Sequence, residues 1–97
     1  MLKGKERSEL KKLAQSLRPA AMIGRAGVTE TVIASIDEYL AANELIKVQI
    51  QEGADVTAEE TANALAERLH AEFVQAIGRR FVLYRRARDP KKRKIFF

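Results

Sequence analysis

The sequence predicts an α/β fold: a two-layer sandwich with a small mixed four-stranded sheet, in the order α-β-α-β-α-β-β. Three observations carry that expectation. Apolar residues at helical spacing alternate along the chain with short runs of strand period. Strand–helix–strand units prefer right-handed parallel crossovers, so two of them closed by a hairpin give a mixed sheet, which needs helices on at least one face. Finally, 97 residues with 46% hydrophobic and 32% charged content suit one domain and a single modest core.

Leu10, Leu13, Ala14 and Leu17 recur at i, i+3, i+4 and i+7, which predicts a helix from about Lys5 to Leu17 with these residues facing the core. Pro19 ends it, because the residue before a proline avoids the α region. Ala20 to Ile23 is an apolar run with room only for a strand. After Gly24–Gly27, Thr29 is placed to cap a second helix through its side-chain oxygen, with Val32, Ile36, Tyr39 and Leu40 as its apolar face and Ala42 and Asn43 at its end. Leu45 to Ile50 alternates, Ile46, Val48 and Ile50 on one side and Leu45, Lys47 and Gln49 on the other, as a half-exposed strand does. Gly53 and Asp55 mark a turn. Thr57 and Glu60 form a capping box for a third helix lined by Ala62, Leu65, Ala66 and Leu69. Glu72 to Ile77 and Phe81 to Arg85 read as two strands, joined at Gly78 and Arg79 by a type II′ turn. The domain is expected over residues 1–88. Residues 89–97, ending in KKRKIFF, have no period and are expected to form a basic, mobile tail.

Composition narrows the function. There is no cysteine, hence no disulfide framework and no thiolate metal site. The basic N-terminus has no apolar core of a secretory signal, and no run reaches membrane-spanning length. A cytoplasmic monomer is expected, with no membrane, small-molecule, cofactor or metal partner. The net charge of +5 conceals an asymmetry: residues 1–27 carry +5, residues 28–77 carry −8 and residues 78–97 carry +8. If folding joins the two ends, the molecule has a positive side that orients towards a polyanion. The plainer alternative is a pair of charged ends that keep the chain soluble.

Within that frame the stretch Met22-Ile-Gly-Arg-Ala-Gly-Val28 stands at a strand-to-helix junction. Amides at a helix start lack intrahelical acceptors, and the helix dipole adds partial positive charge there. Glycines let an anion approach the backbone without meeting a Cβ, and Arg25 adds a bidentate donor. Gly24, Arg25, Ala26, Gly27 and Thr29 are therefore candidate phosphate contacts. The Walker and dinucleotide fingerprints are absent, whereas a two-glycine loop with two residues between clamps nucleic-acid backbones in KH modules. The alternative is a tight turn in which glycine serves geometry alone. Lys5, Lys12 and Arg18 from the first helix region, Lys47 on the polar side of its strand, Arg79 and Arg80 at the hairpin, and Arg85 and Arg86 after it are candidates to extend the contact. Arg88 leaves the last strand with them. Each such contact would release counterions. Phe73 and Phe81 are expected in the core. Tyr84 is open between core and surface, and Phe96 and Phe97 are unassigned. His70 has no ligand partner at metal spacing and reads as a helix C-terminal residue. No pair of carboxylates suggests acid–base catalysis, so no enzyme is expected.

The combined pattern Leu17-x-Pro19, Ile23-Gly24-x-x-Gly27, Glu44-Leu-Ile-Lys-Val48, Gln75-x-Ile77-Gly78 and Leu83-Tyr84-Arg85 resembles the bacterial stand-alone YhbY-like CRM (chloroplast RNA splicing and ribosome maturation) domains. The resemblance spans Leu10 to Tyr84. It implies a fold related to the C-terminal domain of translation initiation factor three, and RNA binding through the loop Gly24–Gly27, where the family often has lysine in the place of Arg25. It also implies association with precursors of the large (50S) ribosomal subunit during ribosome biogenesis. Two alternatives remain open at this point: a protein-interaction module docking basic ribosomal proteins through its acidic middle, and a duplex-DNA binder.

Overall fold

A computed structural model describes residues 2–95 of the chain. The elements are α1 (Gly4–Gln15), β1 (Ala21–Ile23), α2 (Glu30–Asn43), β2 (Leu45–Ile50), α3 (Ala58–Arg68), β3 (Glu72–Ile77), β4 (Arg80–Tyr84) and a short 3₁₀ turn, Pro90–Lys92. The four strands form one sheet in the order β1-β2-β4-β3. β1 and β2 are parallel, and β4 runs antiparallel to both its neighbours.

Local chemistry explains most boundaries. Glu6 Oε1 accepts from the Lys3 amide at 3.0 Å and starts α1. Thr29 Oγ1 accepts from Val32 N at 3.2 Å, and Thr57 Oγ1 from Glu60 N at 3.2 Å, so α2 and α3 begin at the threonines their sequences nominate. α3 ends with His70 in a left-handed conformation (φ 54°) and a bond from Ala71 N back to Ala66 O at 2.8 Å. His70 thus fills a terminator position that glycine usually takes. Between β3 and β4 only Gly78 of the two loop residues has positive φ, as a type II′ turn requires.

The alternation of β2 sorts the core onto two faces. Ile46, Val48 and Ile50 pack with Phe81 and Leu83 against Ile36 and Leu40 of α2, Leu65 of α3 and Leu69 just after it. On the other face Leu45, Val74, Val82 and Tyr84 meet Leu10 and Ala14 of α1. A bulge in β3 puts Val74 and Gln75 together on this second face, because Phe73 pairs with Leu83 and Gln75 with Val82. The sheet therefore carries two helices on one face and α1 alone on part of the other.

Two expectations change, for Leu13 and for the tail, and the open position of Tyr84 is settled. Leu13 does not face the core; it is 41% exposed, because a single helix resting on a sheet buries only the narrow stripe of Leu10 and Ala14, with Leu17 beside it. Tyr84 is buried at the end of β4 and offers no open ring. Residues 89–95 are held rather than free. Lys94 N and Ile95 N donate to Glu44 Oε1 at 2.6 and 2.9 Å, and Ile95 packs on the α1-side core. Phe96 and Phe97, which the sequence left unassigned, lie outside the described residues.

Candidate nucleic-acid interface

β1 pairs with the C-terminal half of β2, Ile23 opposite Ile50, so the loop Gly24–Gly27 emerges beside the turn that follows β2. Gly27 N donates to Gly24 O at 3.0 Å, closing the loop as a tight turn, and Gly27 holds φ at 78°. Gln51 N donates to Ile23 O at 2.8 Å and Ala54 N to Gln51 O at 3.1 Å, which fixes the adjacent turn against the loop. Among the described residues nothing accepts from the Arg25 and Ala26 amides. Both residues are exposed. The Arg25 guanidinium lies along Gly53: a Cβ added there would sit 3.3 Å from Nε and 3.5 Å from Nη2. Gly53, with φ at 92°, thus supplies both the turn and a flat floor for the arginine.

The start of α2 is less open than its sequence position suggests. Thr29 caps Val32 N with its side chain, and its carbonyl accepts from Ile33 N at 3.0 Å. Glu30 adds a carboxylate in the first turn, held by Arg68 Nη2 at 3.3 Å. Thr29 therefore acts as a cap for Val32 N, and within the Gly24–Gly27 turn the amides of Arg25 and Ala26 keep their donors free.

The hairpin between β3 and β4 reaches the same end of the sheet. Arg79 O accepts from Ile50 N at 2.7 Å, and Arg79 pairs loosely with Glu52 at 3.6 Å. Arg80 projects from the first position of β4, opposite Gln49, and it shares a shallow groove with Lys47, Gln75, Ile77 and Val82. Arg18 lies two residues before Ala20, whose amide bonds to Lys47 O at 2.8 Å. Lys5 and Lys12 are exposed on α1. Arg25, Lys47, Arg79 and Arg80 are thus gathered around the loop end and its adjoining face.

Arg85 and Arg86 are not, and the cations of the two chain ends do not meet the loop. Leu2 and Ile95 pack on the same small core, so the ends do come together, but at the opposite end of the strands, beside Leu45 and Tyr84. The two basic regions are separated by the length of β2, about 17 Å at 3.3 Å per residue. Arg85 is an internal strut. Its Nη1 donates to Asp37 Oδ1 at 2.7 Å and Leu69 O at 3.0 Å, and its Nη2 to Asp37 O at 2.9 Å, tying β4 to α2 and α3. Arg86 and Arg88 border a cleft there that also contains Glu6, Glu72 and Asp89.

The described aromatic residues give no open stacking face. Phe81 is fully buried, and Phe73 and Tyr39 pack against the larger core. Burial and the Glu44 charge push the Tyr84 hydroxyl above its ordinary pKa. No group of three His, Cys, Asp or Glu among the described residues could hold a metal ion, and no described helix is long and apolar enough to cross a membrane.

Sequence reading missed two features. Gly53 appears there only as a turn residue, since its contact with Arg25 exists only once β1 and β2 pair. Glu44 appears there only within the family pattern, although its carboxylate is completely buried and holds the C-terminal segment. For Gln49 the signal was present: the alternation of β2 already set it beside Lys47.

Taken together, a four-stranded mixed sheet, three helices and a basic Gly-x-x-Gly turn between the first strand and its helix define a small α/β module of one recognisable kind. The sequence profile of the CRS1 / YhbY (CRM) domain matches residues 2–85, and the chain belongs to that family. Among its relatives are proteins of bacteria. The "Probable RNA-binding protein YqeI" of Bacillus subtilis is 35% identical over 92 residues, covering 95% of this chain and 96% of that one. An "RNA-binding protein" of Haemophilus influenzae is 39% identical over 90 residues, 93% of this chain and 91% of its own. The solution structure of the hypothetical protein SAV1595 from Staphylococcus aureus superposes with a TM-score of 0.77 at 35% identity, covering 98% of this chain and 99% of that one.

Proposed function

We propose that this protein is a non-catalytic, monomeric RNA-binding protein of the cytoplasm that acts in ribosome biogenesis, on the RNA of large-subunit (50S) precursors. The observation that carries the RNA-binding part is the Gly24–Gly27 turn: two unpaired amides and an exposed guanidinium held over Gly53, in a chain whose relatives are named as RNA-binding proteins. A phosphate at the turn accepts from the Arg25 and Ala26 amides while Arg25 adds charge. Arg79, Arg80 and Lys47 extend the positive surface towards neighbouring phosphates, with Arg18 beside Ala20 and Lys47, whereas Lys5 and Lys12 belong to α1 and the N-terminal end. Arg85 has no part in it, because its donors are spent within the fold. The 50S assignment draws on the family resemblance.

The test is a salt titration of binding to ribosomal RNA, with duplex DNA as competitor. Arg25→Glu should weaken RNA binding about tenfold and reduce the slope of log K against log salt by about 0.7–0.9, one phosphate contact. Equal competition by duplex DNA would replace RNA by DNA as the ligand. Unchanged binding by the variant would remove the loop from the mechanism. In cells, crosslinking followed by sequencing of the attached RNA should recover large-subunit precursors; recovery of other RNAs alone would refute the 50S assignment.

A further inference from the structure

We propose that the bare half of the α1-side sheet face is a platform for two or three unpaired nucleotides of RNA, continuous with the phosphate-binding turn; this rests on the RNA-binding reading above and specifies the form of RNA. The strand register places one residue from each strand in a single row. Met22 pairs with Gln49, Gln49 with Arg80, and Arg80 with Ile77. At about 4.8 Å between strands the row is about 14 Å long. The next row towards α1 contains Lys47 and Gln75, which flank Val82.

Four properties of this face point to one occupant. It carries two cations, Lys47 and Arg80, and no carboxylate in either row. Its ends are apolar and open: Met22 is 56% and Ile77 69% exposed. Gln49 and Gln75 present amide groups with no partner among the described residues, each able to donate and accept, as base edges require. Finally, Met22 is followed directly by Ile23 and the Gly24–Gly27 turn, so a strand whose phosphate sits on the turn reaches the row without leaving the surface. A duplex would use the cations but leave Met22 and Ile77 idle, because it turns its phosphates outward and keeps its bases stacked inside. An unpaired segment uses all four: phosphates near Arg80 and Lys47, bases resting on Met22, Ile77 and the Arg80 plane, edges on the glutamines. A four-stranded sheet can seat two or three unstacked bases in this way.

The experiment compares an RNA hairpin carrying an eight-nucleotide loop with a fully paired RNA of equal length. The variants are Met22→Ser/Ile77→Ser, which leaves charge unchanged, and Arg25→Glu. The wild-type protein should prefer the looped RNA. The serine double variant should lose about tenfold on the looped RNA and less than twofold on the duplex. Arg25→Glu should weaken both. Equal loss on both RNAs, or no loss while Arg25→Glu still weakens binding, overturns the platform and leaves the turn in place. No effect of either variant overturns both readings. Preference of the face for an acidic peptide over the looped RNA would also overturn it. Independently of folding in the variants, photocrosslinking of bromouridine in the loop to the unaltered protein should label peptides containing Met22 or Ile77. Labelling confined to the region beyond Tyr84 refutes the proposal.

Discussion

Replacing Glu44 should cost more stability than any other single charge in the molecule. The residue is 0% exposed and sits at φ 68° between α2 and β2. Its Oε2 accepts from Ala87 N at 2.8 Å, and its Oε1 from Lys94 N at 2.6 Å and Ile95 N at 2.9 Å. Its backbone carbonyl takes Arg85 N at 2.8 Å. One side chain therefore anchors the described segment after β4 at three amides. Hydrogen bonds to a charged group contribute about 1.5–3 kcal/mol each, and removing one partner of a buried charged set costs about 3–5 kcal/mol. Glu44→Ala should thus lose about 3–5 kcal/mol, a large part of the 5–15 kcal/mol typical of a domain. Glu44→Gln should lose about 2–3 kcal/mol, since one acceptor oxygen becomes a donor facing an amide. Urea unfolding followed by circular dichroism measures both, and hydrogen exchange at Ala87, Lys94 and Ile95 reports the local release. Burial alone would raise the Glu44 pKa; the three amides, with Arg93 nearby, outweigh it and hold the carboxyl below its ordinary value. The folded pKa being depressed, this contribution is complete above the unfolded value, about 4.3, and is lost as pH falls through the folded one. The stability gap between wild type and Glu44→Gln should stay constant from pH 6 to 8 and close below about pH 4. A loss under 1 kcal/mol for Glu44→Ala, or unchanged protection at the three amides, would refute the reasoning.

Two further substitutions separate fold from site. Gly53→Ala places a Cβ 3.3 Å from Arg25 Nε at φ 92°. It should cost about 1–2 kcal/mol in unfolding free energy and weaken RNA binding several-fold by displacing the guanidinium; an unaltered affinity would show that Arg25 needs no floor. Arg85→Met removes three hydrogen bonds to Asp37 and Leu69. It should lower stability by about 1–3 kcal/mol and leave the salt slope of RNA binding unchanged; a slope reduced by about one would place Arg85 on a phosphate after all.

Those substitutions also mark where side-chain pattern ceases to inform. Threonine caps, the period of β2 and the glycine-led hairpin depend on residues close in sequence, so β2, β3 and the starts of α2 and α3 could be read directly. Leu13 misled because helical periodicity shows which residues lie near one another on α1, not how wide a stripe its neighbour covers. The segment after β4 has no periodicity because backbone amides hold it, and their acceptor, Glu44, is about forty to fifty residues away. Arg85 and Arg86 are adjacent in one basic run, yet Asp37 and Leu69 claim the first and leave the second exposed. The Gly24–Gly27 turn could be found from sequence; that Gly53 supports it could not, since their meeting depends on the parallel pairing of β1 with β2.

The shortness of β1 makes the site. Its three residues, Ala21–Ile23, pair only with Val48–Ile50, so the turn after β1 is delivered beside the 51–54 turn and the 78–79 hairpin instead of midway along β2. The same geometry governs the other face. The chain leaves α1 after Gln15 and must enter β1 by Ala21, so α1 can cover the sheet around Leu45, Val82 and Tyr84 but not the row from Met22 to Ile77. Extending α1 over that row would bury Met22 and Ile77 and add apolar stabilisation of roughly 25 cal/mol per Å². It would also cover Lys47 and Arg80. A second layer completed for stability would thus close the surface on which the proposed RNA contact depends.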